Sequence, residues 1–205
     1  MNGRRLVVLW CLVIGLGLAG MPVGRAETPP QAAAAAAVVE SLHQALIATM
    51  KDGHSLGFQG RAERLAPVVA AAFSMAQMTR IAAGTGWAAL NEEQRQRLTA
   101  SFQRFSVSNY ARNFDSYDGE KFETTGVQLG QGDGVVVLTR LVLAKGDPVE
   151  LNYLLRPYDG AWKIIDIYLS GTVSELASRR AEFNAVLQRE GYDGLVALLD
   201  KKARG

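Results

Sequence analysis

Apolar positions recur along this chain with two different periods, and the change of period divides it into helical and extended parts. From Gln31 to Lys51, Val39, Leu42, Leu46 and Met50 are spaced by three and four in an alanine-rich setting, which predicts an amphipathic helix. Two shorter helices are expected between Arg61 and Gly84, with Pro67 tolerated in a first turn and Phe73-Ser74 as the junction. Asn91, followed three residues later by Gln94, reads as a capping box that opens a long helix through about Phe114. On that helix Leu98, Phe102 and Phe105 share one face, while Val107, Tyr110 and Phe114 fall near the opposite one. A helix apolar on two sides is either sandwiched in a thick core or forms the wall of a pocket.

The period then falls to two, predicting strands near Lys121 to Leu129, Val135 to Ala144, Val149 to Arg156 and Trp162 to Leu169. The intervening segments Gly132-Asp133-Gly134, Lys145-Gly146-Asp147-Pro148 and Pro157-Tyr158-Asp159-Gly160 supply the residues of tight reversals. Short connections force antiparallel neighbours, so the expected sheet is a four-stranded meander. In its third strand Val149, Leu151, Tyr153 and Leu155 alternate with more polar positions and set an inward face; the fourth strand is apolar on both faces and assigns none. Thr172 with Glu175 forms a second capping-box pattern for a helix carrying Leu176, Phe183 and Leu187, Gly191 closes it, and a last helix runs from about Asp193 to Lys202. The sum is an α+β fold: a four-stranded antiparallel sheet with helices packed on one face.

The N-terminus adds a different signal. Arg4 and Arg5 precede an uncharged apolar run from Leu6 to Met21 that stops at Gly24-Arg25-Ala26, the layout of a signal peptide with cleavage after Ala26. The run is shorter than the ~20 apolar residues of a membrane anchor, and Pro22, Gly24 and Arg25 break the helix where an anchor would continue. The expected organisation is a signal peptide over 1–26 and a single domain over 27–205, with Glu27 to Gln31 as a short tether. Cleavage removes Arg4, Arg5 and Arg25 from 22 basic residues and leaves 19 against 20 acidic ones, so no nucleic-acid footprint remains. It also removes Cys11, the only cysteine, and with it disulfides and thiol chemistry.

Candidate chemistry in the remaining 179 of 205 residues is sparse. His43 lies on the first helix and His54 in a Gly53 to Gly60 loop; neither neighbours a nucleophile motif, and both read as surface histidines. No metal-binding, phosphate-loop or dinucleotide motif is present, so neither a metal nor a cofactor is expected. One enzymatic alternative stands: Asp166 with Tyr153 or Tyr168 in an apolar cavity, as in small isomerases, against a plain reading in which Asp166 pairs with a basic residue or faces solvent.

Four stretches together resemble the MlaC family of periplasmic phospholipid-binding proteins, also called the toluene-tolerance auxiliary family. They are Phe73 to Arg80 with Gly84 and Trp87; Leu90 and Gln94 through Phe102 and Phe105 to Tyr110 and Tyr117; Val149 to Leu155 paired with Trp162 to Asp166; and Ser170 to Ser174 followed by Arg179, Arg180, Phe183, Gly191 and Leu195. Where that family usually has glutamate-glycine-valine-serine, this chain reads Ser170-Gly171-Thr172-Val173-Ser174, a variant similar to the hopanoid-associated HpnM subgroup. The resemblance implies a periplasmic carrier, not an enzyme, that shuttles a phospholipid or a hopanoid between an inner-membrane ABC transporter complex and an outer-membrane partner. A carrier of this kind implies that sheet and helices enclose an apolar cavity, and the lipid tails are then expected against the inward stripes, at Leu98, Phe102, Phe105, Leu151 and Tyr153. A third reading is an envelope adaptor whose cavity is filled by its own side chains.

Overall fold

Period-3.6 patterning becomes five helices and period-two patterning becomes one sheet in the computed structural model, which describes residues 30–130 and 132–204. The expected signal peptide lies outside the described residues. Helix α1 (Pro30–Lys51) starts at Pro30, so two residues of the expected tether belong to its first turn, where proline's missing N–H costs nothing. By length and composition α1 would suffice to cross a membrane, yet Ala35, Val39, Leu42 and Leu46 are fully buried in the domain core.

Helix α2 (Gly53–Ala72) begins eight residues earlier than the sequence pattern indicates, so the segment Gly53 to Gly60 is helical rather than a loop, and His54 is exposed on it. Gly57 breaks this helix at φ +60°, a conformation only glycine takes without strain, and this one glycine disguises the helical period. Pro67 lies inside α2 rather than at its start. The Phe73-Ser74 junction leads to α3 (Met75–Ala83) and is stitched to the sheet by Ser74 N donating to Ile164 O at 3.0 Å. A short 3₁₀ turn (Gly84–Ala89) precedes α4 (Glu92–Asn113), whose capping box forms as expected: Gln94 N donates to Asn91 Oδ1 at 2.9 Å, and Asn91 N to Gln94 Oε1 at 3.0 Å.

Strands β1 (Lys121–Leu129), β2 (Val135–Val142), β3 (Val149–Tyr158) and β4 (Ala161–Leu169) pair antiparallel in chain order. A fifth strand, β5 (Val173–Ser174), pairs with β4, so the sheet has five strands instead of four; two residues are too few to show a period. The double-sided look of β4 has a specific cause. Tyr153 pairs with Ile167 and Leu155 with Ile164, so a bulge inserts one extra residue between inward positions and reverses the alternation.

Helix α5 (Glu175–Arg204) is two helical segments joined at Gly191, at φ +70°, which is the expected closure of the first segment continued directly into the second. Its N-terminus corrects the second capping-box expectation. Ala177 N donates to Ser174 Oγ at 2.9 Å and Leu176 N to Asp166 Oδ1 at 3.0 Å, while Thr172 donates its backbone N–H to Leu169 O and stands before β5. The cap is therefore Ser174 backed by Asp166, because the short fifth strand carries the chain two residues further before the helix begins. All five helices lie on one side of the sheet, with Val137, Tyr153, Leu155 and Ile164 as its buried contact surface.

Candidate functional site

Between α4, α5, the α2–α3 junction and the inward face of β3 and β4 the packing leaves a cavity of about 220 Å³. Its wall is aromatic and aliphatic: Phe73, Phe102, Phe105, Tyr110, Phe114 and Tyr153, with Val69, Met75, Met78, Leu151, Ile167, Leu169 and Leu176. The aromatic rings pack in two groups, Tyr110 lying 5.9 Å from Phe73 and 5.7 Å from Phe114, and Phe102 6.3 Å from Phe105, all centroid to centroid. Helix α4 meets both sequence readings of its double apolar face. Phe102 packs edge-on against Phe183 of α5 at 5.2 Å in the core, and the same helix exposes Phe105, Tyr110 and Phe114 to the cavity.

Polar lining is segregated. Ser106, Asn109 and Asn113 lie at spacings of three and four along one stripe of α4, and Glu175 and Arg179 are one turn apart at the start of α5. Asn113 is exposed and Arg179 and Glu175 are partly so, whereas Tyr153 and Phe102 are buried. The mouth therefore lies between the end of α4 and the start of α5, and the two charged lining residues stand at it.

The inner wall carries a polar group as well, in a different state. Tyr153 is fully enclosed, and its hydroxyl is 3.1 Å from Nε2 of His43, which stacks on Phe122 with ring centroids 3.8 Å apart. His43 is thus buried, not a surface histidine: α1 lies on the sheet, and its polar-looking position points at β3. Burial lowers the imidazole pKa to about 4, so His43 is neutral at neutral pH. The same desolvation pushes the phenols of Tyr153 and Tyr110 well above their ordinary value, and for Tyr110 the nearby Tyr153 and Glu175 add to it. The interior of the cavity is uncharged.

Of the residues expected at the site, Phe102, Phe105, Leu151 and Tyr153 share this cavity, and Leu98 does not: one turn before Phe102, it is fully enclosed in the core. The enzymatic alternative is not assembled. Asp166 is buried but lies outside the cavity lining, and its carboxylate is occupied by the N–H groups of Ile167 and Leu176 at 2.8 and 3.0 Å and by the Ser174 hydroxyl at 2.6 Å. Among the described residues it pairs with no basic side chain, and it is buried rather than facing solvent; it caps α5. Sequence reasoning missed Phe73, Tyr110 and Phe114 as lining, and also the polar stripe of α4, although the 106, 109, 113 spacing was readable.

A search of curated proteins returns no match. Among solved structures, the fold matches the phospholipid-binding protein from Ralstonia solanacearum in complex with a phospholipid, with a TM-score of 0.73 and 24% identity over 83% of this chain and 97% of that one. The family model for the MlaC protein matches residues 40–201, from the middle of α1 nearly to the end of α5. The chain belongs to the MlaC family of periplasmic lipid-binding proteins.

Proposed function

We propose that this protein is a periplasmic lipid carrier whose cargo places its apolar part in the cavity between α4, α5 and the sheet, against Phe102, Phe105, Leu151 and Tyr153. The observation that carries this reading is the segregation of the lining: an uncharged aromatic and aliphatic interior with every charged group held at the mouth. The energetic need is large. Two acyl chains with ~30 methylenes cost on the order of 24 kcal/mol to expose to water at ~0.8 kcal/mol each, so a lipid crosses an aqueous compartment only inside a shell of this kind.

At about 220 Å³ the cavity is smaller than the ~300–1,000 Å³ of ordinary small-molecule pockets, so loading widens it. Met75 and Met78 suit that, being unbranched and able to repack around different shapes. The Ralstonia protein holds a phospholipid, which supports a phospholipid as cargo. The segment Tyr168 to Ala177 supports a hopanoid instead, through its likeness to the HpnM subgroup. In either case the carrier works between an inner-membrane ABC transporter complex and an outer-membrane partner, and the 1–26 leader delivers it there.

Mass spectrometry of the protein extracted from its native host identifies the cargo and distinguishes the two lipid classes. Wild type is expected to retain a lipid, and Leu151→Glu to retain none while its circular dichroism stays native. A lipid-free wild type, or a folded Leu151→Glu with normal lipid content, overturns the assignment.

A further inference from the structure

Tyr110 stands between the two polarities of the cavity. Its ring is held by Phe73 at 5.9 Å and by Phe114, one helical turn further along α4, at 5.7 Å. That packing fixes the phenol at one depth, and its neighbours mark the depth. Tyr153 of the inner wall and Glu175 of the mouth both lie near enough to act on its ionisation.

The two phenols differ in what they bond. The Tyr153 hydroxyl is engaged by His43 at 3.1 Å, whereas the Tyr110 hydroxyl makes no hydrogen bond among the described residues. The Ser106 hydroxyl, also on the lining of α4, is likewise engaged, donating to Phe102 O at 2.9 Å. Tyr110 keeps part of its surface accessible, yet burial is the largest cause of the rise in its pKa. Surface that is open but withdrawn from bulk water faces the cavity. The rise keeps the phenol protonated at neutral pH, so it is an O–H donor without a protein acceptor. Covered by plain hydrocarbon, that donor loses its water and gains nothing in return.

We propose that the Tyr110 hydroxyl donates to an acyl ester carbonyl of the cargo, and that through this bond the cavity selects ester-linked lipids over lipids that are ether-linked or plain hydrocarbon at the same depth. This deepens the carrier reading and rests on it. A lipid whose chains lie against Phe102, Phe105, Leu151 and Tyr153 changes from apolar to polar where the chains begin. That junction falls where the lining itself changes from aromatic to charged, beside Tyr110. An ester carbonyl oxygen carries more negative charge than an ether oxygen and accepts a phenol proton more strongly.

The test uses delipidated full-length protein and two probes with the same headgroup and chain length, diacyl- and dialkyl-phosphatidylglycerol, offered in the same neutral mixed micelles. The mouth meets an identical group in both, so its contribution cancels. Wild type is expected to bind the diacyl lipid about three- to tenfold better, the size of one neutral hydrogen bond. Tyr110→Phe keeps the ring and its packing, and should bring the two affinities level by weakening the diacyl lipid alone. Equal affinities in wild type, or a preference that survives Tyr110→Phe, overturn the proposal. Because the hydroxyl has no protein partner, the variant should melt no lower than wild type; a marked drop or a failure to fold shows that the hydroxyl serves the scaffold and overturns the role. Diacyl lipid labelled with heavy carbon at its carbonyls gives a direct readout. Its infrared C=O stretch should lie lower in wild type than in Tyr110→Phe, and an identical stretch in the two sinks the bond. A wild type that takes up neither lipid sinks the carrier reading itself, which separates the two failures.

Discussion

At the inner wall of the cavity Tyr153 and His43 satisfy each other, out of contact with water; at the mouth Arg179 divides its donors between two partly exposed glutamates. Both regions put polar atoms beside apolar lining, and the difference lies in what each group does if its partner leaves. An unpartnered hydroxyl or imidazole in the core bears the full cost of desolvation, so the inner pair is locked. An arginine at a wet edge finds water or another anion and so is free to exchange. Deep polar groups here define the shape of the cavity, while shallow ones are available to the cargo.

The sharpest way to break this comparison is to truncate both sides. Tyr153→Ala removes a fully enclosed aromatic ring and orphans His43, and by analogy with other large aromatic truncations should cost about 3–5 kcal/mol in chemical denaturation. Arg179→Gln should cost under ~1 kcal/mol, the range of partly exposed ion pairs. Equal losses would show that the mouth is as rigid as the inner wall.

Acid probes the inner pair alone. His43 has a pKa of about 4 when folded and 6.5 when unfolded, so between these values the unfolded chain binds more protons and stability falls as pH falls. The slope is ~1.4 kcal/mol per pH unit and the whole loss about 3 kcal/mol, complete below about pH 4. His43→Gln keeps a hydrogen-bonding group for Tyr153 and should flatten that part of the stability profile, measured as melting temperature from pH 7 to 4. An unchanged slope in the variant would mean that other groups titrate.

The smallest effects separate scaffold from mouth at the start of α5. Ser174→Ala removes the side-chain acceptor for Ala177 N and a donor to Asp166, and should cost ~1–2 kcal/mol. Thr172→Ala should stay within ~0.5 kcal/mol, since its side chain caps nothing. The reverse order in thermal melts would restore the Thr172-Glu175 capping box and move the helix start.

Legibility followed the range of the interactions. The α4 capping box was readable because its donors and acceptors are three residues apart. The inward set Leu151, Tyr153, Leu155 was readable because alternation is local to one strand, whereas Val149, expected with them, is exposed, since it stands at the first position of β3 where no helix covers the sheet edge. Helix α2 was half hidden, since a single glycine at positive φ interrupts its period without ending it. The face of β4 was unreadable, because its bulge shows only against the register of β3. Asp166 was misjudged for a related reason: its partners are on β5 and α5, brought round by a corner that no periodicity describes.

The sequence by itself determined the α+β class, the element order, the meander and most of the residues that face inward. These follow from hydrophobic period and turn chemistry, which act over a few residues. Only the tertiary structure decided which inward residues close the core and which line a space. Leu98 and Phe105 belong to the same stripe of α4, yet Leu98 is sealed in the core and Phe105 reaches the cavity, with Arg179 and Lys202 against its ring. It likewise turned His43 from a presumed surface residue into the partner of Tyr153 across 110 positions of chain. Period assigns a side chain to a face, but whether that face meets a neighbour or a void is set by the packing of elements distant in sequence.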